Sequence, residues 1–247
     1  MDLVKDWPVP ALKVMGNDPD TDSRYRRKRE DNLEQQGPAG FALLGRFLDG
    51  CAALDADVDQ LLRDGWNTSS SRHAITMGFC RAALEHAISQ RVLIGAGHHG
   101  TALALVRLHF ETTVRAAWVP LGASEEWLNK FTEPVPMGSF NEPSLGPPIP
   151  SMLEAIEAHA PDMAHEGRRL YQTVKVMHSF VHGGAHLVVH ALRGYPPDKM
   201  IDVLRNRNLL CLMLCNVIVV TSGKSELFGS VGRLSRLHAN VMPTPLT

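Results

Sequence analysis

The sequence predicts an all-α fold, and three observations support this fold class. Apolar residues recur at three- and four-residue intervals through most of the chain, which is the pattern of amphipathic helices. No segment shows sustained apolar and polar alternation between hairpin turns, and no strand–helix phosphate loop is present. Short connections between the helical segments favour antiparallel neighbours. We therefore expect an antiparallel helical bundle of five or six main helices.

The helical segments are bounded by residues that start or stop a helix. Gly65 closes the first segment, and a Ser/Thr cluster at 68–71 supplies N-caps for the second. Pro120 ends the third, Pro161 restarts a helix, and Asp198 is an N-cap for another. The predicted segments are 40–64, 72–94, 98–119, 151–193 with the restart inside it, 198–220 and 225–238.

We expect an irregular amino-terminal arm over 1–37 and a single helical-bundle domain over 38–240. The arm contains prolines, glycines and a basic run at 24–29. Acidic residues flank this run on both sides, which favours a solvated tail over a phosphate-contacting arm. Within the domain, the segment 132–150 is rich in proline and glycine and is expected to be a loop.

The composition is that of an ordinary globular protein, with 247 residues and a formal net charge of -1. This balance excludes a global basic field, so contact with nucleic acid requires a local patch. The cysteines lack the C-x-x-C spacing of zinc or redox sites. The start lacks the apolar core of a secretory signal, and the apolar run at 209–220 is shorter than the ~20 residues of a membrane span. We expect a cytoplasmic protein with no membrane partner.

Four histidines spaced four residues apart form the segment richest in titratable groups, with two glycines, Gly183 and Gly184, between them. Side chains four apart lie on one helix face, which predicts a helical ladder. The ladder drifts by about 120° from end to end, so only adjacent pairs share a face. We expect His178 and His182 to point toward the core and the outer pair to lie at an interface or in solvent. The outer pair is His186 and His190.

The glycine pair indicates an irregularity within this predicted helix. Each glycine costs about 1 kcal/mol relative to alanine inside a helix. Gly183 and Gly184 therefore mark either a break in the helix or a close approach by a ligand or another backbone. Either arrangement opens space beside His182.

A charged pair lies within an apolar stripe of the third helical segment. Arg107 and Glu111 are one turn apart, and Arg115 follows one turn later. Buried charges are tolerated only when they are paired and hydrogen-bonded. We therefore expect this pair to bond internally or to contact His178 and His182.

Three hypotheses fit these residues. Histidines four apart with a facing carboxylate can bind a metal, although the repeated Glu-x-x-His pattern of ferritin-like bundles is absent. Histidine and arginine can perform general acid–base chemistry on a phosphodiester, with arginine stabilising negative charge. The same groups can also form a structural network that sets helix register. The residue types leave all three open.

The segment 102–118, with Arg107 and Glu111, followed by His178-Ser-Phe-Val-His182-Gly-Gly, resembles uncharacterised bacterial helical families. In those families an arginine and a glutamate one turn apart precede a tryptophan, and a later helix carries a His-Gly-Gly element. The resemblance covers about 75–195. The shape of these families is similar to HEPN-type helical bundles, which include RNA-cleaving toxins, abortive-infection effectors and RNA-binding domains.

The resemblance implies a HEPN-like homodimer that binds or cleaves RNA, as a ribonuclease toxin or phage-defence effector with a neutralising partner protein. An enzyme of this kind would be a metal-independent endoribonuclease without a cofactor. The alternatives are a non-enzymatic scaffold or partner-binding module, and a metal-binding bundle. We assign catalytic roles to Arg107, Glu111, His178 and His182, and substrate contacts to Arg115, Gly183, Gly184 and His186.

HEPN ribonucleases typically carry an arginine and a later histidine with four to six residues between them. Comparable spacings occur here three times, and such spacings also arise by chance. We therefore place the candidate site outside these pairs, which departs from the usual motif. The pairs are Arg81 with His86, Arg91 with His98, and Arg233 with His238.

Overall fold

The computed structural model describes residues 37–63, 69–134 and 143–243, and these residues form helices and turns without a β-strand. Within this part of the chain the all-α prediction is confirmed. The arm expected over 1–37 lies outside the described residues except for Gly37, as do residues 135–142 of the expected loop.

Nine α-helices follow one another along the described residues. Five of them have 21 to 26 residues and form the body of the domain, whereas the other four have ten or fewer. Two short 3-10 turns flank the last helix, at Ser225–Leu227 and Ala239–Val241. The helices are α1 (Pro38–Leu62), α2 (Ser71–Gly95), α3 (His99–Gly122), α4 (Glu125–Thr132), α5 (Ile149–Glu157), α6 (Pro161–Val181), α7 (Ala185–Arg193), α8 (Pro197–Ser222) and α9 (Phe228–Leu237).

Helix α3 lies at the centre of the fold, because it packs against α2, α5, α6 and α8. Its apolar residues contribute to both hydrophobic clusters of the core. Phe110 and Trp118 belong to the larger cluster, and Leu103 belongs to the smaller one with Phe47 and Phe180. The face of α3 that packs against α6 therefore lies beside a rigid core.

Two details at the end of α3 differ from the sequence expectation. The helix continues to Gly122, so the predicted stop at Pro120 is wrong by two residues. A proline in the last turn removes only its own N–H donor, and the carbonyls at this end are satisfied from another helix. Arg72 Nη1 donates to the carbonyl oxygens of Val119 at 2.7 Å and Ala123 at 2.8 Å.

Helix α4 was not predicted, although its start carries a recognisable signal. The Ser124 hydroxyl accepts a hydrogen bond from the Trp127 backbone N–H at 3.2 Å, which is an N-cap. Glu125 and Glu126 occupy the first turn, where negative charge favours a helix.

Helix α8 is the one described helix that is long and apolar enough, by length and composition, to cross a membrane. However, 67% of its apolar window is buried inside the protein. This burial is typical of the core helix of a globular domain.

A charged side chain lies in the middle of the core. Arg207 on α8 is only 2% exposed. Its guanidinium donates to the Asp55 carboxylate on α1, to the Ala87 carbonyl on α2 at 3.0 Å, and to Asn208 Oδ1 at 2.8 Å. Arg91 Nε lies 2.7 Å from the second Asp55 oxygen. The network therefore connects three long helices.

We predict that Asp55→Ala lowers the free energy of unfolding by about 3–5 kcal/mol, because it leaves the buried Arg207 charge without its carboxylate. Chemical denaturation followed by circular dichroism measures this loss. Asp59→Ala is the matched control, since Asp59 is exposed one turn further along α1 and should tolerate the change. Equal stability of the two variants would contradict a structural role for Asp55.

Candidate functional site

The histidine ladder is split between two helices. Helix α6 ends at Val181 and α7 begins at Ala185. Ser179 holds the junction, because its carbonyl accepts from Gly184 N at 2.7 Å and its hydroxyl accepts from His186 N at 3.0 Å. The prediction of a continuous helix through the ladder is therefore wrong. The chain breaks at the glycine pair, which is the alternative that the two glycines allowed.

The two glycines serve different purposes at this junction. Gly183 has φ +68°, a conformation that side chains other than glycine rarely adopt. At Gly184 an added Cβ would lie 2.6 Å from the Ser179 hydroxyl oxygen and 3.2 Å from its Cα. The first position needs the backbone freedom of glycine, and the second needs its small size.

The four residues predicted to be catalytic lie together. Arg107 Nε donates to Glu111 Oε1 at 2.7 Å, and Arg107 Nη1 donates to His178 Nδ1. The rings of His178 and His182 are 4.2 Å apart between centroids. Arg115 Nη1 extends the network to the other Glu111 oxygen at 3.4 Å. We call these five residues the Arg–His cluster.

The contact with Arg107 determines which nitrogen of His178 carries the proton. A guanidinium can only donate hydrogen bonds, so Nδ1 of His178 must accept. The neutral ring therefore carries its proton on Nε2. His178 thus presents an N–H donor on the side of the ring opposite to Arg107.

The expected inward orientation of His178 and His182 is wrong, because both side chains are exposed. The buried stripe of α6 passes through Leu170 and Val174 and reaches Phe180, which leaves the histidines beside the core face. Arg107 is 32% exposed. The Arg–His cluster therefore lies at the edge between α3 and α6, with its histidines exposed and Glu111 and Arg115 mostly covered.

The two outer histidines of the ladder have different surroundings. His186 is exposed on α7, as expected. His190 packs within its own chain, since its ring stacks on Phe180 at 6.0 Å and on Tyr195 at 5.4 Å between centroids. Its Nδ1 also lies 3.3 Å from the Gly194 carbonyl. His190 is therefore half-buried by residues of its own chain, and its predicted place in solvent or at an interface stays a prediction.

The side chains offer no obvious metal centre in the described ranges. Nowhere in 37–63, 69–134 or 143–243 do three His, Cys, Asp or Glu side chains form a group that could hold an ion. Both carboxylate oxygens of Glu111 are bonded by arginines.

Residues of the Arg91/His98 and Arg233/His238 spacings have structural partners. Arg91 is paired with Asp55 at 2.7 Å, and His238 Nε2 lies 2.8 Å from Asp57 Oδ2. Arg233 Nη2 donates to the Ser230 hydroxyl at 2.6 Å. These contacts are separate from the Arg–His cluster.

The sequence analysis did not single out His109 or Arg207, which are the two largest polar side chains among the fully buried residues with a titratable group. His109 is fully buried on α3, and its signal in the sequence is only a histidine between apolar neighbours, Leu108 and Phe110. The apolar neighbours of a histidine do not distinguish a core histidine from one that binds a ligand.

The fold and the cluster define an all-α protein with a surface site of arginine, glutamate and histidine. The model of a family of unknown function, DUF6988, matches residues 80–244. The chain therefore belongs to this family, and the match includes the whole Arg–His cluster. No curated protein and no solved structure matches the chain.

We predict that Gly183→Ala lowers the free energy of unfolding by about 1–2 kcal/mol, because alanine is strained at positive φ. An added Cβ at Gly183 meets nothing within 4 Å, so the backbone alone causes the loss. Gly78→Ala is the control, since Gly78 lies inside α2 with equally open space and should gain about 0.4–1 kcal/mol. A gain at both positions, measured by urea denaturation, would contradict the break in the ladder.

Proposed function

We propose that this protein is a HEPN-like RNA-binding protein that cleaves RNA at the Arg–His cluster without a metal ion. The observation that carries the proposal is the exposed pair of imidazoles, one of them bonded to an arginine. Such a pair supplies proton transfer and positive charge at one surface point. A toxin or phage-defence role follows from RNA cleavage as an extension of this proposal.

The charges of the cluster favour a phosphate group. Arg107 and Arg115 contribute two permanent positive charges, and Glu111 contributes one negative charge. Helix α7 begins three residues after His182, so the positive end of its dipole lies close by in the chain. Gly183 and Gly184 add no side chains that would keep a phosphate away from this end. A polynucleotide backbone satisfies this arrangement better than a neutral ligand does.

The hydrogen bond of His178 suggests separate roles for the two histidines. His178 donates from Nε2 to a phosphate oxygen, because its Nδ1 is occupied by Arg107. His182 takes the proton from the 2′-hydroxyl, whose oxygen attacks phosphorus while the bond to the 5′-oxygen breaks. The protonated His182 then gives this proton to the departing 5′-oxygen, which leaves as a hydroxyl. The need for a 2′-hydroxyl makes RNA the substrate.

We predict that His182→Ala lowers the rate of RNA cleavage by about 10²–10⁴-fold, which is the usual contribution of general acid–base catalysis. The assay follows a labelled single-stranded RNA in the presence of EDTA, with circular dichroism to confirm folding. His165→Ala is the matched control, because His165 is exposed on the same helix. Equal rates in the wild type and both variants, or no cleavage by the wild type, would contradict the proposed activity.

A second candidate function, association with another protein, is favoured by α7. This nine-residue helix has no buried residue, and it exposes Val188, Val189 and Leu192. Short helices are marginal in water unless an apolar face is covered. We propose that a second copy of the chain covers the apolar face of α7. In a twofold dimer this face contacts the same face of the partner, and its three apolar side chains cause no like-charge repulsion. A neutralising partner protein would compete for the same face.

We predict that Leu192→Asp converts a dimer of this protein to a monomer, because it places a charge in the apolar face. Leu192 is 79% exposed. Leu237→Asp on α9 is the control, since Leu237 is 70% exposed in a different helix and should leave the dimer intact. Sedimentation equilibrium measures the mass of each. A monomeric wild type, or a dimer that survives Leu192→Asp, would contradict the proposed interface.

A further inference from the structure

Helix α6 carries a row of polar side chains along the edge that meets the outer side of α3. The residues of this row are spaced alternately three and four apart, which places them on one edge of a helix. They are Arg168, Tyr171, Lys175, His178 and the C-cap residue His182. The two histidines of the Arg–His cluster therefore form one end of the row. Lys175 precedes His178 by one turn, which is about 4.5 Å along the helix axis.

The ammonium group of Lys175 has a defined position at this edge. Its Nζ lies 4.8 Å from the centroid of the Tyr171 ring, one turn earlier on α6. The half-buried Tyr171 ring stacks in turn on the fully buried ring of Phe110, at 6.1 Å between centroids. A cation within about 6 Å of a ring centroid is attracted to the face of the ring. This contact restricts a side chain that is otherwise flexible.

The positive charge of Lys175 has no carboxylate within ion-pair distance among residues 37–63, 69–134 and 143–243. Two acidic groups next to the row are bonded to arginines instead. Glu157 of α5 accepts from Arg168 Nη1 at 2.7 Å, and the two oxygens of Glu111 accept from the arginines of the Arg–His cluster. Because Lys175 is also exposed, its ammonium group can contact an anionic group of a ligand.

A polynucleotide supplies such an anionic group next to the cluster. When one phosphate of a strand lies at the Arg–His cluster, the neighbouring phosphates follow along the strand. Proteins bind single strands in positively charged grooves that follow the backbone. Lysine binds a phosphate as a point charge, without the fixed two-bond geometry of arginine. A lysine is therefore suited to a phosphate that is held but not cleaved.

We propose that Lys175 binds the phosphate next to the one that is cleaved, so that the substrate of this protein is an oligonucleotide with at least two phosphates. This inference rests on the proposed function, which places the cleaved phosphate at the Arg–His cluster. It adds a binding residue and no step of the reaction. A dinucleotide with a single phosphate would contact the cluster but not Lys175.

The salt dependence of binding tests this contact without any cleavage. The probe is a fluorescein-labelled oligothymidylate, a single-stranded DNA that lacks the 2′-hydroxyl. We expect Lys175→Gln to weaken its binding and to lower the slope of log K against log salt by about 0.7, the value for one phosphate contact of a single strand. Lys175→Arg should keep the slope of the unmodified protein, because it keeps the charge.

Lys130→Gln is the matched control, since Lys130 is exposed on α4 and paired with Glu126 at 2.7 Å. Fluorescence anisotropy measures the binding of each variant, and circular dichroism confirms that each is folded. An unchanged slope in Lys175→Gln, an equal fall in Lys130→Gln, or no binding by the unmodified protein would overturn the proposal.

Cleavage of two RNA substrates separates this inference from the proposed function. One substrate is a dinucleoside monophosphate, and the other is an oligoribonucleotide with phosphates on both sides of the cleaved bond. We expect Lys175→Gln to lower kcat/KM for the oligoribonucleotide by about tenfold and to leave that for the dinucleotide unchanged. Equal losses on both substrates, or no loss on the longer one, would overturn the inference. Cleavage of neither substrate by the unmodified protein would contradict the proposed function, and the binding measurement then decides the phosphate site.

Discussion

The buried guanidinium of Arg207 is the constraint on which the arrangement of the long helices depends. A charge in the core must be matched by hydrogen bonds from every side, and these come from Asp55 on α1, the Ala87 carbonyl on α2 and Asn208 on α8. Asn208 in turn donates to the Val241 carbonyl at 2.8 Å, which attaches the final 3-10 turn. A shift of any of these helices along its axis would leave a buried charge unpaired. The network thereby selects one register, and the apolar clusters supply the stabilising free energy.

The two faces of α3 have different chemistry because of this arrangement. The inner face carries the fully buried His109 and apolar residues such as Phe110. The outer edge carries Arg107 and Glu111, which meet the exposed His178 of α6. One helix thus carries both a buried polar side chain and an ion pair at its outer edge. The buried inner face fixes the position of α3, from which the outer side chains reach the surface.

Most of the helices and the pairing of Arg107 with Glu111 were predictable from local sequence. Arg107 and Glu111 lie one turn apart on a helix, so their ion pair follows from periodicity. The exposure of His178 was not predictable in this way, because it depends on where the buried stripe of α6 ends. A helical wheel drawn from the ladder alone places His178 on the core face, whereas Phe180 is the residue that is buried. The partners of Arg207 could not be predicted from local sequence either, because Asp55 is 152 positions away in the chain.

The break at Gly183 separates the ladder of four histidines into an adjacent exposed pair, His178 and His182, and two residues with other surroundings. A continuous helix would have kept all four on one drifting face. The central claim, that the pair at the edge of α3 meets RNA, is tested most directly by NMR of the histidine rings during titration with a short single-stranded RNA. The account predicts that the ring signals of His178 and His182 shift while that of His165 does not, and that a DNA of the same sequence is not cleaved. Unchanged signals for the pair, or shifts confined to other histidines, would contradict it.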